Sequence, residues 1–187
     1  MQPSLLAPPT LELILQTDLD ETLAATRSVQ TVIQLPWSTW GDHWIAALAD
    51  HLPPAPSYEL TLLLTNNAKI QTLNDQFRHL DQPTDVLAFA ALEVDMPGLS
   101  AMASALEDPI QISEPLYLGD IVISLERAAQ QAQERGHDFP LEVIWLFSHG
   151  LLHLLGWDHP DETTLTTMLS QQSHLLTLIG LTPPPFI

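Results

Sequence analysis

The tightest constraint on this chain is one short run, His149-Gly-Leu-Leu-His153-Leu-Leu-Gly156-Trp-Asp-His159. Its pattern is H-x-x-x-H-x-x-G-x-x-H. Two histidines four apart on a helix stand on one face, one turn apart. Gly156 follows an apolar stretch and can adopt the left-handed conformation that ends a helix. The chain then turns back and carries His159 towards the first two. Three imidazoles meeting at one point, with a fourth position open, form the layout of a catalytic zinc centre. The run therefore demands a helix, a tight glycine stop and a cleft. The expected ligands are His149, His153 and His159, holding one Zn2+ or another divalent ion.

The spacing is that of the long zinc-protease signature with one change. Those proteases place Glu directly after the first His as general base. Here that position is Gly150, so the metal layout is kept and the peptidase base is missing.

The run resembles the signature of the YbeY family, bacterial metal-dependent endoribonucleases of rRNA maturation. The family commonly has Tyr where this chain has Trp157, so an aromatic is kept and a hydroxyl lost. The resemblance extends over about Leu60 to Leu181. Gln82-Pro-Thr-Asp85-Val-Leu-Ala88-Phe-Ala90 follows the family turn K-P-T-[DN]-V-L-S-F-P, with Ala88 and Ala90 replacing its Ser and Pro. Leu118-Gly-Asp120-Ile matches its L-G-D-I strand. Asn74 and Arg78, four apart, match an Asn and an Arg common in the family, which implies a substrate-binding role for both. An arginine can grip a phosphate through two parallel hydrogen bonds and stabilise growing charge. Arg78 and His149 are thus the expected catalytic residues. Asp158, Asp120 and Asp85 are candidates for orienting a ligand or accepting a proton.

Charge limits how RNA could be captured. Five Lys and Arg against 23 Asp and Glu give a net −18. Such a chain is repelled by nucleic acid at long range. Weak affinity for naked RNA is expected, with rRNA met inside a ribosomal particle or through a protein partner. No DNA or membrane partner is expected. There is no Cys, which excludes disulfides and thiolate ligands and fits a reducing cytoplasm. The N-terminus lacks a basic start and a long apolar run, so no signal peptide is expected.

In chain order, 11–17 reads as a strand and 18–35 has no readable assignment. Residues 37–51 read as a helix whose tryptophans suit a core better than a base-stacking platform. Residues 58–65 read as a buried strand, followed by a helix capped by Asn66 or Asn67. A second strand covers 86–89, and an acidic loop, able to overhang the site, covers 92–115 with one possible helical turn at 100–106. A strand at 116–123 leads through Ser124 into a helix ended by Gly136. Pro140 opens the metal-bearing helix, and a long amphipathic helix after Asp161 closes at Gly180 with Met168 in the core.

The fold expected is α/β (α+β). A small mixed sheet of about four strands packs with about five helices, and a zincin-like three-His site lies in a cleft. Residues 1–187 should form a single domain, with loose tails at 1–10 and 182–187. The resemblance implies a single-strand-specific, metal-dependent endoribonuclease acting in 16S rRNA 3′-end processing and ribosome quality control. Two other readings stand beside it. One is a metallohydrolase of peptides or small esters. The other is a non-catalytic assembly factor stapled by zinc.

Overall fold

A computed structural model describes residues 8–92 and 114–184. Four strands form one sheet: β1 (Thr10–Asp18), β2 (Ser57–Thr65), β3 (Val86–Ala90) and β4 (Leu116–Ser124). Their order is β1-β2-β4-β3; β1, β2 and β4 run parallel and β3 runs antiparallel to β4. The sheet is mixed and four-stranded, as its sequence signals suggest.

Seven α-helices flank it among the described residues: α1 (Glu21–Ala24), α2 (Arg27–Ile33), α3 (Trp37–Ala47), α4 (Asn67–Arg78), α5 (Leu125–Arg135), α6 (Phe139–Leu154) and α7 (Glu162–Leu178). About five were expected. The extra two are α1 and α2, in the stretch that defied assignment. Each is too short to display a helical hydrophobic period. Asp20 caps α1 by accepting from the Leu23 amide, and α2 is fixed by burying Val29 and Val32. The other helix starts follow their signals. Asn66 accepts from the Lys69 amide, Ser124 from Arg127, and Asp161 forms a capping box with Thr164.

The two faces of the sheet differ. On one, Leu60, Leu62 and Leu64 of β2 and Ile121 and Ile123 of β4 meet Trp44, Phe147, Leu151, Met168 and Leu175 in the main core. Trp37 and Trp44 are buried there and donate their indole N–H groups to Val32 O and Leu175 O. They are core tryptophans, as their spacing indicates. On the other face α4 covers a smaller cluster of Ile70, Leu87 and Val122. Phe77, near the end of the same helix, is 56% exposed and rests edge-on against Phe89.

Helix α6 runs through the middle and is buried along most of its length. Its first turn is tied down by Glu142, fully buried, which accepts from Arg135 Nη1 at 2.7 Å and pairs with His137. Gly150 brings α6 against β4: a Cβ there would lie 2.8 Å from Ile121 Cγ2. Ile121 is fully buried and branched, so it cannot swing aside. Gly150→Ala should therefore destabilise the protein by about 1–3 kcal/mol, despite the better helix propensity of Ala. Urea unfolding checks this; a gain in stability would contradict the packing.

The acidic 92–115 loop, with its possible turn at 100–106, falls almost wholly outside the described residues. So do most of the expected tails, although Thr10 already belongs to β1. Among the described residues no helix is long and apolar enough to cross a membrane.

Candidate metal centre

The last turn of α6 builds the site. Leu155 closes the helix, and Gly156 takes φ +81°. The Gly156 amide donates to His153 O and the Trp157 amide to Leu152 O, both at 3.0 Å. This pair of bonds is a Schellman stop, and it reverses the chain within one turn. His159 is then brought beside the two helix histidines. Its own amide is fixed by the Asp158 carboxylate at 2.8 Å. Ring centroids lie 4.6 Å apart for His149 and His153, 5.3 Å for His149 and His159, and 5.2 Å for His153 and His159. One nitrogen from each ring lies within 4.8 Å of the other two. The three expected ligands converge.

A residue that the sequence reading missed orients the first ligand. Gln172 of α7 is fully buried. Its amide N–H donates to Trp145 O at 3.0 Å and lies 3.3 Å from Ser148 Oγ. A carbonyl can only accept, so the amide nitrogen must face Trp145. Gln172 Oε1 is thereby turned to His149 Nδ1 at 3.1 Å. That oxygen can only accept, so Nδ1 carries the proton and Nε2 presents its lone pair to the cluster. The available signal was a polar residue at a core position, four after Met168 and three before Leu175. Gln172→Leu should weaken divalent-metal affinity about 10–100-fold, the usual size for losing a ligand's hydrogen-bond partner. Calorimetric titration with zinc measures it, and unchanged affinity would remove Gln172 from the site.

Burial is the main cause that lowers the His149 pKa from 6.5 to about 4. The Gln172 bond and Asp85 oppose the shift, while His153 and His159 add to it. His153 is lowered too, mainly by burial, then by the charges of His159 and Arg78. Both rings are therefore neutral at pH 7, the form that binds metal. The sign for stability follows. The unfolded chain takes up the His149 proton near pH 6.5, and the metal-free fold takes it up only near 4. Stability is full above that window and falls as pH drops through it. Urea midpoints of chelator-treated protein should fall as pH drops from about 6.5 towards about 4.

The histidines line a cleft of about 360 Å³ together with Arg78, Thr84, Asp85, Ala88 and Asp158. Arg78 is the last residue of α4, followed by His79 at φ +59°. Asp85 is held by four contacts: its carboxylate accepts from Val86 N at 2.8 Å, Gln131 Nε2 at 2.9 Å and Thr84 Oγ1 at 3.1 Å, and its carbonyl accepts from Ser124 N. Burial acts to raise its pKa, but these hydrogen bonds prevail and lower it. Asp85 is a fixed anion at the cleft wall.

Two other aspartate and asparagine expectations turn out differently. Asp120 lies on the opposite face of the sheet, beside Thr61, Lys69 and Phe77, and accepts from the Tyr117 hydroxyl at 2.5 Å. It orients no histidine. The reason is a β-bulge: Glu59 pairs Tyr117 while Leu60 pairs Gly119. The extra residue inverts the alternation after Leu118, so Ile121 faces α6 and Asp120 faces away. Gly119, at φ +134°, is required there, because a Cβ would fall 2.1 Å from Phe89 O. Asn74, for its part, is 3% exposed and donates to Gln82 O at 2.8 Å. It braces the turn that leads to Asp85 instead of opening onto the cleft.

Three convergent imidazoles, one of them locked in the tautomer that frees Nε2, fit a divalent transition-metal ion. Gly150 lies in the cleft wall where the zinc proteases carry their glutamate. Its packing on Ile121 leaves no space for a side chain.

The family model described as Endoribonuclease YbeY matches residues 24–180. The chain is 61% identical over 176 residues to an Endoribonuclease YbeY of Synechocystis sp., covering 94% of each chain. It is 52% identical over 145 residues to one of Nostoc sp., covering 78% of this chain and 74% of that one. In fold it is similar to the solution structure of TM1509 from Thermotoga maritima, with a TM-score of 0.52, 19% identity and 90% of each chain covered. With the family model spanning most of its length, and the three histidines gathered as the motif requires, the chain belongs to the YbeY family.

Proposed function

We propose that the protein is a metal-dependent endoribonuclease that cuts single-stranded rRNA, in 16S 3′-end maturation and ribosome quality control. The observation that carries this is the three-imidazole group in one cleft with Arg78, in a chain whose relatives are named endoribonucleases. Zinc is the metal that suits the donor set best, since neutral nitrogen ligands leave the ion its full charge. When bound, such an ion supplies Lewis-acid charge that activates water near neutral pH and polarises a phosphoryl oxygen.

The chain's own residues do the rest. His149, His153 and His159 hold the ion, and Gln172 keeps His149 in its donor tautomer. Arg78 grips the scissile phosphate through its guanidinium fork and offsets charge that grows during displacement. Asn74 braces the turn that sets Asp85, and Asp85 stiffens the wall opposite. Asp158 spends one carboxylate oxygen on the His159 amide, and its other oxygen takes no hydrogen bond among the described residues. It is the carboxylate offered to a migrating proton.

A net charge of −18 gives little long-range attraction for RNA. Recognition therefore belongs to a ribosomal particle or a protein partner in the cytoplasm, where the rRNA is presented. The competing peptidase reading is disfavoured by Gly150. Metal-loaded protein offered unstructured RNA and casein should cut the RNA alone. Turnover of casein with the RNA intact would overturn the proposal.

A further inference from the structure

A second hollow adjoins the histidine cleft, and Asp158 lines both. It measures about 400 Å³ and is lined by Trp157, His51, Leu155, Thr164 and Thr167 as well as Asp158. Such a size is within the range of sites for small planar ligands. The Trp157 and His51 rings meet edge to face, with centroids 5.4 Å apart and planes at 68°. Trp157 is half-buried against the core, and His51 stands exposed on the short 3-10 turn after α3. Trp157 is the residue placed by the second bond of the Schellman stop, so the device that delivers His159 also fixes this ring.

We infer that this hollow is a nucleobase subsite, in which Trp157, backed by His51, stacks one base of the RNA strand next to the scissile phosphate. The inference rests on the endoribonuclease reading above. Three observations point to a base as the occupant. First, the hollow and the cleft share Asp158 in their walls. Trp157 lies two residues from the ligand His159, a span of at most about 7 Å, which matches a neighbouring nucleotide. Second, the lining combines an aromatic ring with Thr164 and Thr167, whose hydroxyls donate to Asp161 O and Thr163 O and keep oxygen lone pairs to accept with, and it holds no Lys or Arg. That suits an uncharged, flat, polar-edged group, whereas a phosphate would face the Asp158 carboxylate with no Lys or Arg beside it. Third, the charge balance calls for an attraction that is not ionic. Of the five cations, Lys69 faces Asp18 at 3.5 Å, Arg135 is bound to Glu142, and Arg127 donates to Gln130. Among the described residues Arg78 is the cation that lines the catalytic cleft. Stacking of a base on an aromatic ring is nearly indifferent to net charge and to sequence.

The test is cleavage of single-stranded RNA oligomers in which one abasic nucleotide is walked across the cut site. The zinc-loaded protein should lose about tenfold in kcat/KM when one position adjacent to the cut is abasic, the size expected for one stacked base. In Trp157→Leu the intact and abasic oligomers should be cut at equal rates. Trp157→Tyr should keep most of the discrimination. His51→Ala changes an exposed residue and should reduce the discrimination without disturbing the fold. If wild-type protein cuts all abasic oligomers alike, or Trp157→Leu still discriminates, the subsite is overturned while the endoribonuclease reading stands. If wild-type protein cuts none of the oligomers, the intact one included, both are overturned.

Discussion

His153→Ala should leave a folded protein that holds a divalent ion at least about 100-fold more weakly and cuts RNA no faster than chelator-treated wild type. The magnitude is a lower bound. Losing a residue that merely orients a ligand already costs 10–100-fold in affinity, and His153 supplies a donor itself. The fold should survive, because His153 is only half-buried and its neighbours Leu151, Leu152 and Leu154 carry the core packing of that turn. Removing one imidazole also takes away the partner 3.1 Å from His149 Nε2, while Gln172 still holds the His149 ring. Zinc titration by calorimetry, far-ultraviolet circular dichroism and RNA cleavage belong together in this test. A variant with wild-type cleavage and no metal would sink the metal-dependent account. A variant that does not fold would instead show that metal and fold are one cooperative unit, and His159→Ala, beyond the end of α6, then repeats the question.

Arg78→Ala separates holding the metal from using it. The side chain is exposed at the end of α4 and takes no part in the core. Metal content and unfolding midpoint should be those of wild type. RNA cleavage should fall by about 100–1000-fold, the cost of removing a donor aimed at developing negative charge. Arg78→Lys keeps the charge and loses the planar fork, so its rate should lie between the two. Undiminished cleavage by Arg78→Ala would mean that the phosphate is held elsewhere, and Arg78 would then be one more surface charge in an acidic chain.

Some elements are legible because their information is local. The Asn66, Ser124 and Asp161 caps, the Gly136 and Gly180 stops and the β2 alternation each depend on a few adjacent residues, and each is found where those residues place it. Helices α1 and α2 escaped because four and seven residues cannot show a period. Their identity comes from what they are pressed against. Asp120 misled for a related reason. Its neighbourhood reads as an ordinary strand, and the bulge that turns it away exists only in the register with β2. Gln172 was invisible as a partner of His149 because 23 residues and a chain reversal separate them.

The sequence by itself determined that three histidines could meet. A four-residue helical spacing, a glycine able to take positive φ and a third histidine three positions on are sufficient, since the geometry is set by backbone hydrogen bonds within one turn. It also determined the missing peptidase base at Gly150 and the shortage of cations. Only the tertiary structure decided which tautomer His149 presents, which aspartates reach the cleft and what lies beside it. Those depend on packing between distant segments: α7 against α6, the α4 end against β3, and the 3-10 turn against Trp157. Distances of a few ångströms across such contacts follow from the fit of whole elements, and no local pattern encodes them.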